Sequence, residues 1–179
     1  MNPHTMPRNH TPLIAALLML TACQAETPPE PPLAGAAIGG DFTLTGEDGQ
    51  PVSWADFTGQ YRTLYFGYTF CPDVCPVDTQ RAMAGLKAFE KANPELGAKI
   101  QPLFISVDPE RDTPEVLAEF TDNFHPRLIG MTGTKEELDR ITSSFAATYS
   151  IGEKRDNGGY LVGHTNITYL FGPEGEPLA

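Results

Sequence analysis

Thr63-Leu64-Tyr65-Phe66-Gly67-Tyr68-Thr69-Phe70-Cys71-Pro72-Asp73-Val74-Cys75-Pro76 is the stretch on which the fold turns. Its first part, Thr63 to Phe70, is aromatic and β-branched, which predicts a buried strand. A Cys-Pro pair follows and is repeated four positions later. A residue before proline is pushed out of the α region, so Cys71 and Cys75 are both expected in a bent, non-helical loop. Pro76 is then well placed to open the next helix. Beyond it, Ala82, Met83, Leu86 and Phe89 recur at helical spacing.

Strand, cysteine loop, helix is the order of a thioredoxin-like redox unit. The N-terminus of a helix stabilises anions, so thiolates there are favoured over thiols. Three residues separate Cys71 from Cys75, one more than in the usual redox-catalytic pair. The wider loop loosens disulfide geometry and suits two sulfurs pointing at a common ion. A plain stabilising disulfide or two buried thiols also fit the bare spacing, but two prolines and Asp73 make the loop unlike core.

With 179 residues, 40% of them hydrophobic, the chain has room for one α/β domain and a short appendage. Its formal charge of −11 argues against nucleic acid, because phosphate neutralisation needs clustered Lys and Arg. The same charge repels anionic lipid and favours cationic patches on a protein partner. At the N-terminus, Arg8 with His4 and His10 precedes the apolar run Leu13 to Leu20. That run is too short to span a bilayer and fits an export signal. Leu20-Thr21-Ala22-Cys23 resembles the bacterial lipoprotein cleavage box, which makes Cys23 the expected lipidated first residue of the mature protein. The competing reading is an ordinary secreted protein with a stray cysteine. With Cys23 assigned to lipid, Cys71 and Cys75 remain as a single pair in an oxidising compartment, and one pair is no disulfide framework.

Residues 1–22 are therefore read as a lipoprotein signal peptide, 23–40 as a lipidated cysteine and Pro-rich tether, and 41–179 as the folded domain. The tether, with Pro28-Pro29-Glu30-Pro31-Pro32, has the composition of a semi-extended spacer. Phe42-Thr43-Leu44 and Val52-Ser53 flank Gly46-Glu47-Asp48-Gly49, an N-terminal β-hairpin signal. Trp54 to Phe57 predicts a short helical turn ended by Gly59. Ile100 to Val107 reads as the second central strand. Asp112 or Thr113 is the expected cap of a helix whose first turn holds Pro114 and whose buried face carries Leu117 and Phe120. Leu128-Ile129-Gly130 predicts a short strand. Thr134 to Glu137 is a capping box, backed by the stripe Leu138, Ile141, Phe145. Thr148 to Ile151 predicts another strand. Tyr160-Leu161-Val162 and Ile167 to Phe171 read as a closing hairpin around Gly163-His164-Thr165-Asn166. The acidic string Asp108 to Asp112 is read as helix-terminal carboxylates rather than a metal site.

A metal held by two thiolates wants a third donor. His4 and His10 leave with the signal peptide, and His125, in a helix-end loop, reads as an exposed bystander. His164 stands between two β-like segments, where a thioredoxin-like fold places a loop beside its cysteines. A lone histidine is structural more often than not. The motifs weigh against that here: Phe66 to Pro76, Ile105 to Pro114 and Gly130-Met131-Thr132-Gly133-Thr134 resemble the Sco/SenC family of copper proteins, and Gly163-His164-Thr165 resembles its C-terminal histidine motif. The likeness runs from about Gly40 to about Gly175.

The resemblance implies an α/β, thioredoxin-like fold, a central mixed sheet flanked by helices, in which Cys71, Cys75 and His164 bind one copper ion. It also implies delivery of copper to the binuclear copper centre of cytochrome c oxidase subunit II, or reductive preparation of that subunit's cysteines. Other periplasmic copper chaperones and thioredoxin-like reductases are further partners it suggests. Thiolates select copper(I), and an added imidazole lets the same site hold copper(II). By residue type alone zinc fits equally well. The expected protein is thus a lipid-anchored metallochaperone on the periplasmic side of a bacterial envelope, rather than a turnover enzyme. The alternative is an extracytoplasmic thiol–disulfide oxidoreductase using Cys71 and Cys75 as a redox-active disulfide. Such reductases normally carry a proline facing the cysteines, and none occurs between Pro126 and Pro173. Two departures from the family stand out. Gly163 occupies the place of an aspartate that would orient or tune the imidazole. The family also continues past the turn at Gly172 to Gly175 with a strand and a helix, so the C-terminal helix is expected to be missing and an apolar stripe of sheet uncovered.

Overall fold

The computed structural model describes residue 1 and residues 29–156 and 158–179. The proposed signal peptide, its cleavage box and Cys23 lie outside the described residues. The strands are β1 (Thr43–Gly46), β2 (Pro51–Ser53), β3 (Tyr61–Gly67), β4 (Ile100–Ser106), β5 (Ile129–Thr132), β6 (Tyr149–Ile151), β7 (Val162–His164) and β8 (Thr168–Phe171). The helices are α1 (Val74–Ala92), α2 (Pro94–Gly97), α3 (Pro114–Asp122) and α4 (Lys135–Ser144), with a 3₁₀ turn at Trp54–Phe57.

Apolar runs at β3 and β4 put them in the interior of a mixed six-stranded sheet of order β2-β1-β5-β4-β3-β8. β3 and β4 pair in parallel from Tyr61↔Ile100 to Gly67↔Ser106, and β4 continues in parallel to β5. Strand neighbours point to opposite faces, so Tyr65 and Phe66 belong to different layers. On one face Tyr65 stacks with Phe104, which meets Phe120 of α3 and through it Phe124. On the other, Phe66 meets Phe145 at the end of α4, which also contacts Phe42, Trp54 and Phe171. Helices therefore cover both faces, as parallel strands require. The fold is α/β and thioredoxin-like.

Local signals explain most boundaries. β1 and β2 form the N-terminal hairpin, closed by Gly49 at φ +76°, a conformation costly for a side chain bearing Cβ. Thr113 caps α3 by accepting the amide of Val116, with Pro114 in the first turn. Thr134 and Glu137 form the reciprocal capping box of α4. The end of the Pro-rich stretch is seated on the domain: Leu33 donates its amide to Leu178 and Gly39 to Ser144.

The structure corrects five expectations. Cys75 is helical, the second residue of α1, because the first turn of a helix needs no amide from Pro76. β7 and β8 do not form a hairpin with each other; β7 pairs with β6 in a separate two-stranded sheet, and β8 pairs with β3. His125 is no exposed bystander but 4% exposed, facing Glu90 and accepting the amide of Arg127. Asp108 and Asp112 do not cap α3, whose cap is Thr113; both are fully buried, Asp112 accepting from Thr69 and Ser106 and Asp108 from Arg111 and Tyr160. No large apolar side chain of the six-stranded sheet is exposed among the described residues. The expected bare stripe is absent because Tyr169 and Phe171 face the core and the last residues fold back on β8, Leu178 donating to Leu170.

Candidate metal centre

Parallel strands all deliver their following loops to one end of the sheet. β3 runs into Tyr68 and Thr69, and the chain turns at Cys71, whose amide reaches the carbonyl of Tyr68. Cys71 is half-buried and Cys75 buried, and both are free thiols. The sulfur of Cys71 accepts the amide of Cys75 at 3.4 Å. A side-chain sulfur thus takes one of the orphan amides at the N-terminus of α1, the position where the helix dipole favours negative charge.

The two thiols are electrostatically unlike. Burial opposes ionisation of Cys71, but hydrogen bonds from the thiol and amide of Cys75, the amide of Asp73 and the hydroxyl of Tyr68 outweigh it and lower its pKa. Burial pushes the Cys75 thiol well above the ordinary range, and its neighbour Cys71 adds to that. One sulfur is poised to ionise and the other to hold its proton.

His164 arrives from the far end of the chain, as the last residue of β7. Its Nε2 lies 3.0 Å from Sγ of Cys75, and its Nδ1 lies 3.1 Å from the carbonyl of Thr165. A carbonyl only accepts, so this contact assigns the ring proton to Nδ1 and leaves the Nε2 lone pair directed at the cysteines. One ligand atom each from Cys71, Cys75 and His164 lies within 4.8 Å of the others, the only such His, Cys and carboxylate cluster found among the described residues. An ion roughly 2.3 Å from each of two sulfurs would hold them within about 4.6 Å, a separation comparable with the spacing of these donor atoms. Two anionic sulfurs and a neutral imidazole are the donor set that soft and borderline metals take.

Sequence reading missed the walls of this site. Tyr65 and Tyr68 meet the His164 ring edge-on, each at a centroid distance of 5.9 Å. The Tyr65 hydroxyl reaches Asp78 at 3.4 Å, and burial, then Cys75 and Asp78, raise its pKa. The signal was there: tyrosines in a stretch otherwise rich in buried aromatic and β-branched residues need partners for their hydroxyls. Gly163, in the place of the family's aspartate, pairs with Ser150, and a Cβ there would approach Ser150 Oγ to 3.0 Å.

A thioredoxin-like sheet with two free thiols and an imidazole converging at the N-terminus of its first long helix defines a thiol–imidazole centre, built for a metal or for electron exchange. The chain belongs to the SCO1/SenC family, whose model matches residues 30–179. It is 42% identical over 141 residues to the mitochondrial SCO1 homolog of Mus musculus, an alignment covering 79% of this chain and 49% of the mouse protein. The chain therefore spans about half the length of that relative. The copper-bound crystal structure of Arabidopsis thaliana ScoI superposes with a TM-score of 0.74 at 39% identity, covering 80% of this chain and 86% of that one. BsSco, described as a Sco family cytochrome c oxidase assembly protein with a disulfide switch, superposes with a TM-score of 0.64 at 25% identity over 84% of this chain and 86% of its own.

Proposed function

We propose that this protein is a copper metallochaperone for cytochrome c oxidase assembly, with Cys71, Cys75 and His164 as the copper ligands. The observation that carries the reading is the convergence of those three donor atoms within 4.8 Å. Copper is the cargo. Two thiolates hold copper(I), and the Nε2 lone pair of His164 extends the site to copper(II). Buried Cys75 anchors the ion, while half-buried Cys71 and His164 border a cleft with Pro72, Val74 and Asn166 open to an incoming partner. A donor from the partner replaces an outer ligand while Cys75 still holds, so copper is passed on without being released to water. The binuclear copper centre of oxidase subunit II is the proposed recipient.

Residues 41–179 are the working domain in this reading, and lipid on Cys23 tethers it to the periplasmic side of a bacterial membrane. Mass spectrometry of the mature protein tests the tether; an unmodified N-terminus downstream of Cys23 rules it out.

Anaerobic titration of the reduced protein with copper, with zinc as competitor, tests the cargo, and one copper per chain resistant to zinc is expected. His164→Ala should keep weakened copper(I) binding and lose most copper(II) binding; full copper(II) binding in that variant overturns the ligand assignment. A second reading, reduction of the target's cysteines, is favoured by one feature: Cys71 is half-buried at the cleft, with its pKa lowered. Thiol–disulfide exchange needs no imidazole, so His164→Ala should leave it intact.

A further inference from the structure

The hairpin that carries His164 is not hydrogen-bonded into the central sheet: β6 and β7 form a sheet of their own. The nearest pairing with the central sheet is Thr168 with Tyr65, just past His164, so side chains share in setting the distance between His164 and the cysteines. Tyr65 and Tyr68 reach the His164 ring directly, and a second group of side chains belongs to the loop after β4.

Asp112 faces the cysteine side of that loop. Its carboxylate accepts the amide of Thr69 at 2.9 Å, the Thr69 hydroxyl at 2.7 Å and the Ser106 hydroxyl at 2.5 Å. Thr69 stands two residues before Cys71. Asp108 faces the other way and accepts the Tyr160 hydroxyl at 2.6 Å. Tyr160 stands two residues before β7. Arg111 closes the bridge. Its Nε donates to Asp108 at 2.5 Å and its Nη1 to the Tyr160 carbonyl at 2.9 Å. Its guanidinium lies 3.6 Å from the centre of the Tyr160 ring and 5.0 Å from that of Phe70, next to Cys71. A planar fork suits this double duty, because it stacks on aromatic faces while bonding in its own plane.

We infer that Arg111 is a positioning residue, which clamps the His164 hairpin to the cysteine loop through Tyr160, Phe70 and Asp108. The inference rests on the copper reading above and adds a residue that touches none of the three ligands. Without the clamp the two thiolates stay together at the start of α1, but the imidazole loses its fixed approach. Copper(II), which needs the imidazole, should suffer far more than copper(I).

The test compares wild type, Arg111→Ala, Arg111→Lys and Tyr160→Phe as full chains. Copper(I) and copper(II) affinities are measured by competition, with the thiolate-to-copper(II) absorption and nitrogen hyperfine coupling as signatures. Arg111→Ala should weaken copper(II) by about tenfold or more, the range for residues that orient ligands, while copper(I) stays within about threefold. Arg111→Lys keeps the charge but loses the planar fork that bonds Asp108 and the Tyr160 carbonyl while stacking on the Tyr160 ring, so it should fall between. Tyr160→Phe removes a single hydroxyl and covers the case in which Arg111→Ala fails to fold; it too should lose copper(II) selectively. Unchanged copper(II) affinity and spectra, or equal losses for both oxidation states, overturn the inference. If wild type binds no copper, the copper reading falls instead. The clamp is then judged on the metal-free proteins: faster amide exchange in Val162–Thr165 alone in Arg111→Ala supports it, and unchanged exchange there overturns it.

Discussion

Sγ of Cys75 and Nε2 of His164 lie 3.0 Å apart although 89 positions separate them in sequence. The contact joins the N-terminus of α1 to a hairpin outside the main sheet, and it pairs a thiol that holds its proton with a nitrogen that lacks one. A metal bound here would require Cys75 to give up that proton, since thiol ligands must be deprotonated to bind.

The two cysteines should react at different rates. Cys71 is half-buried with its pKa lowered, and Cys75 is buried with its pKa raised. Thiolate fraction and access both set the rate. Iodoacetamide at neutral pH should therefore label Cys71 first, and Cys75 should stay largely unlabelled in a Cys71→Ser variant. Equal labelling of both positions in peptide maps would show the asymmetry to be wrong.

Oxidation should abolish metal binding. A Cys71–Cys75 disulfide brings the sulfurs to about 2.05 Å and removes both thiolates. Copper stoichiometry is expected to fall to near zero after oxidation and to recover fully with a phosphine reductant. Retained copper in the oxidised protein would place the ion elsewhere.

Glu90 should give the fold an acid-sensitive staple. Burial raises its pKa, but Arg127 and His125 bond its carboxylate and lower it overall. Arg127 also donates to the carbonyls of Gly97, Ala98 and Ile100, so the cluster ties the end of α1 to β4 and to the loop before β5. A depressed carboxylate contributes stability above its unfolded pKa and loses it as pH falls through the folded value. Glu90→Gln should cost about 1 kcal/mol at pH 7, and the difference from wild type should close as the pH falls below the ordinary carboxylate range. Urea midpoints across that range decide it; a difference independent of pH would refute the linkage.

Phe145 should be the costliest single truncation on the sheet face opposite α1. It is 1% exposed and meets the rings of Phe42, Trp54, Phe66 and Phe171. Phe145→Ala should lose about 3–5 kcal/mol, through lost burial and the cavity left behind. Phe145→Leu should cost less than half as much, as denaturant unfolding of both variants will show.

The sequence by itself was enough for whatever depends on neighbours a few positions apart. Aromatic and β-branched residues marked β3, the run Ile100 to Val107 marked β4, helical spacing marked α1, and the Thr134–Glu137 box marked the start of α4, because each is a pattern within one turn or one strand. The cysteine pair was legible for the same reason. His164 was not: its choice over His125 came from family motifs, since nothing local distinguishes a ligand from a bystander. The tertiary structure decided the rest. It buried His125 against Glu90, 35 positions away, and helical packing overrode the pre-proline preference of Cys75. It split β7 from β8, because β8 completes the sheet against β3 while Thr165 binds back to Thr148. It also turned the acidic string into a bridge between Thr69 and Tyr160, partners 43 and 52 positions from the aspartates that hold them. A buried carboxylate needs donors and takes them from wherever the fold brings them, and that depends on three-dimensional proximity that no local pattern encodes.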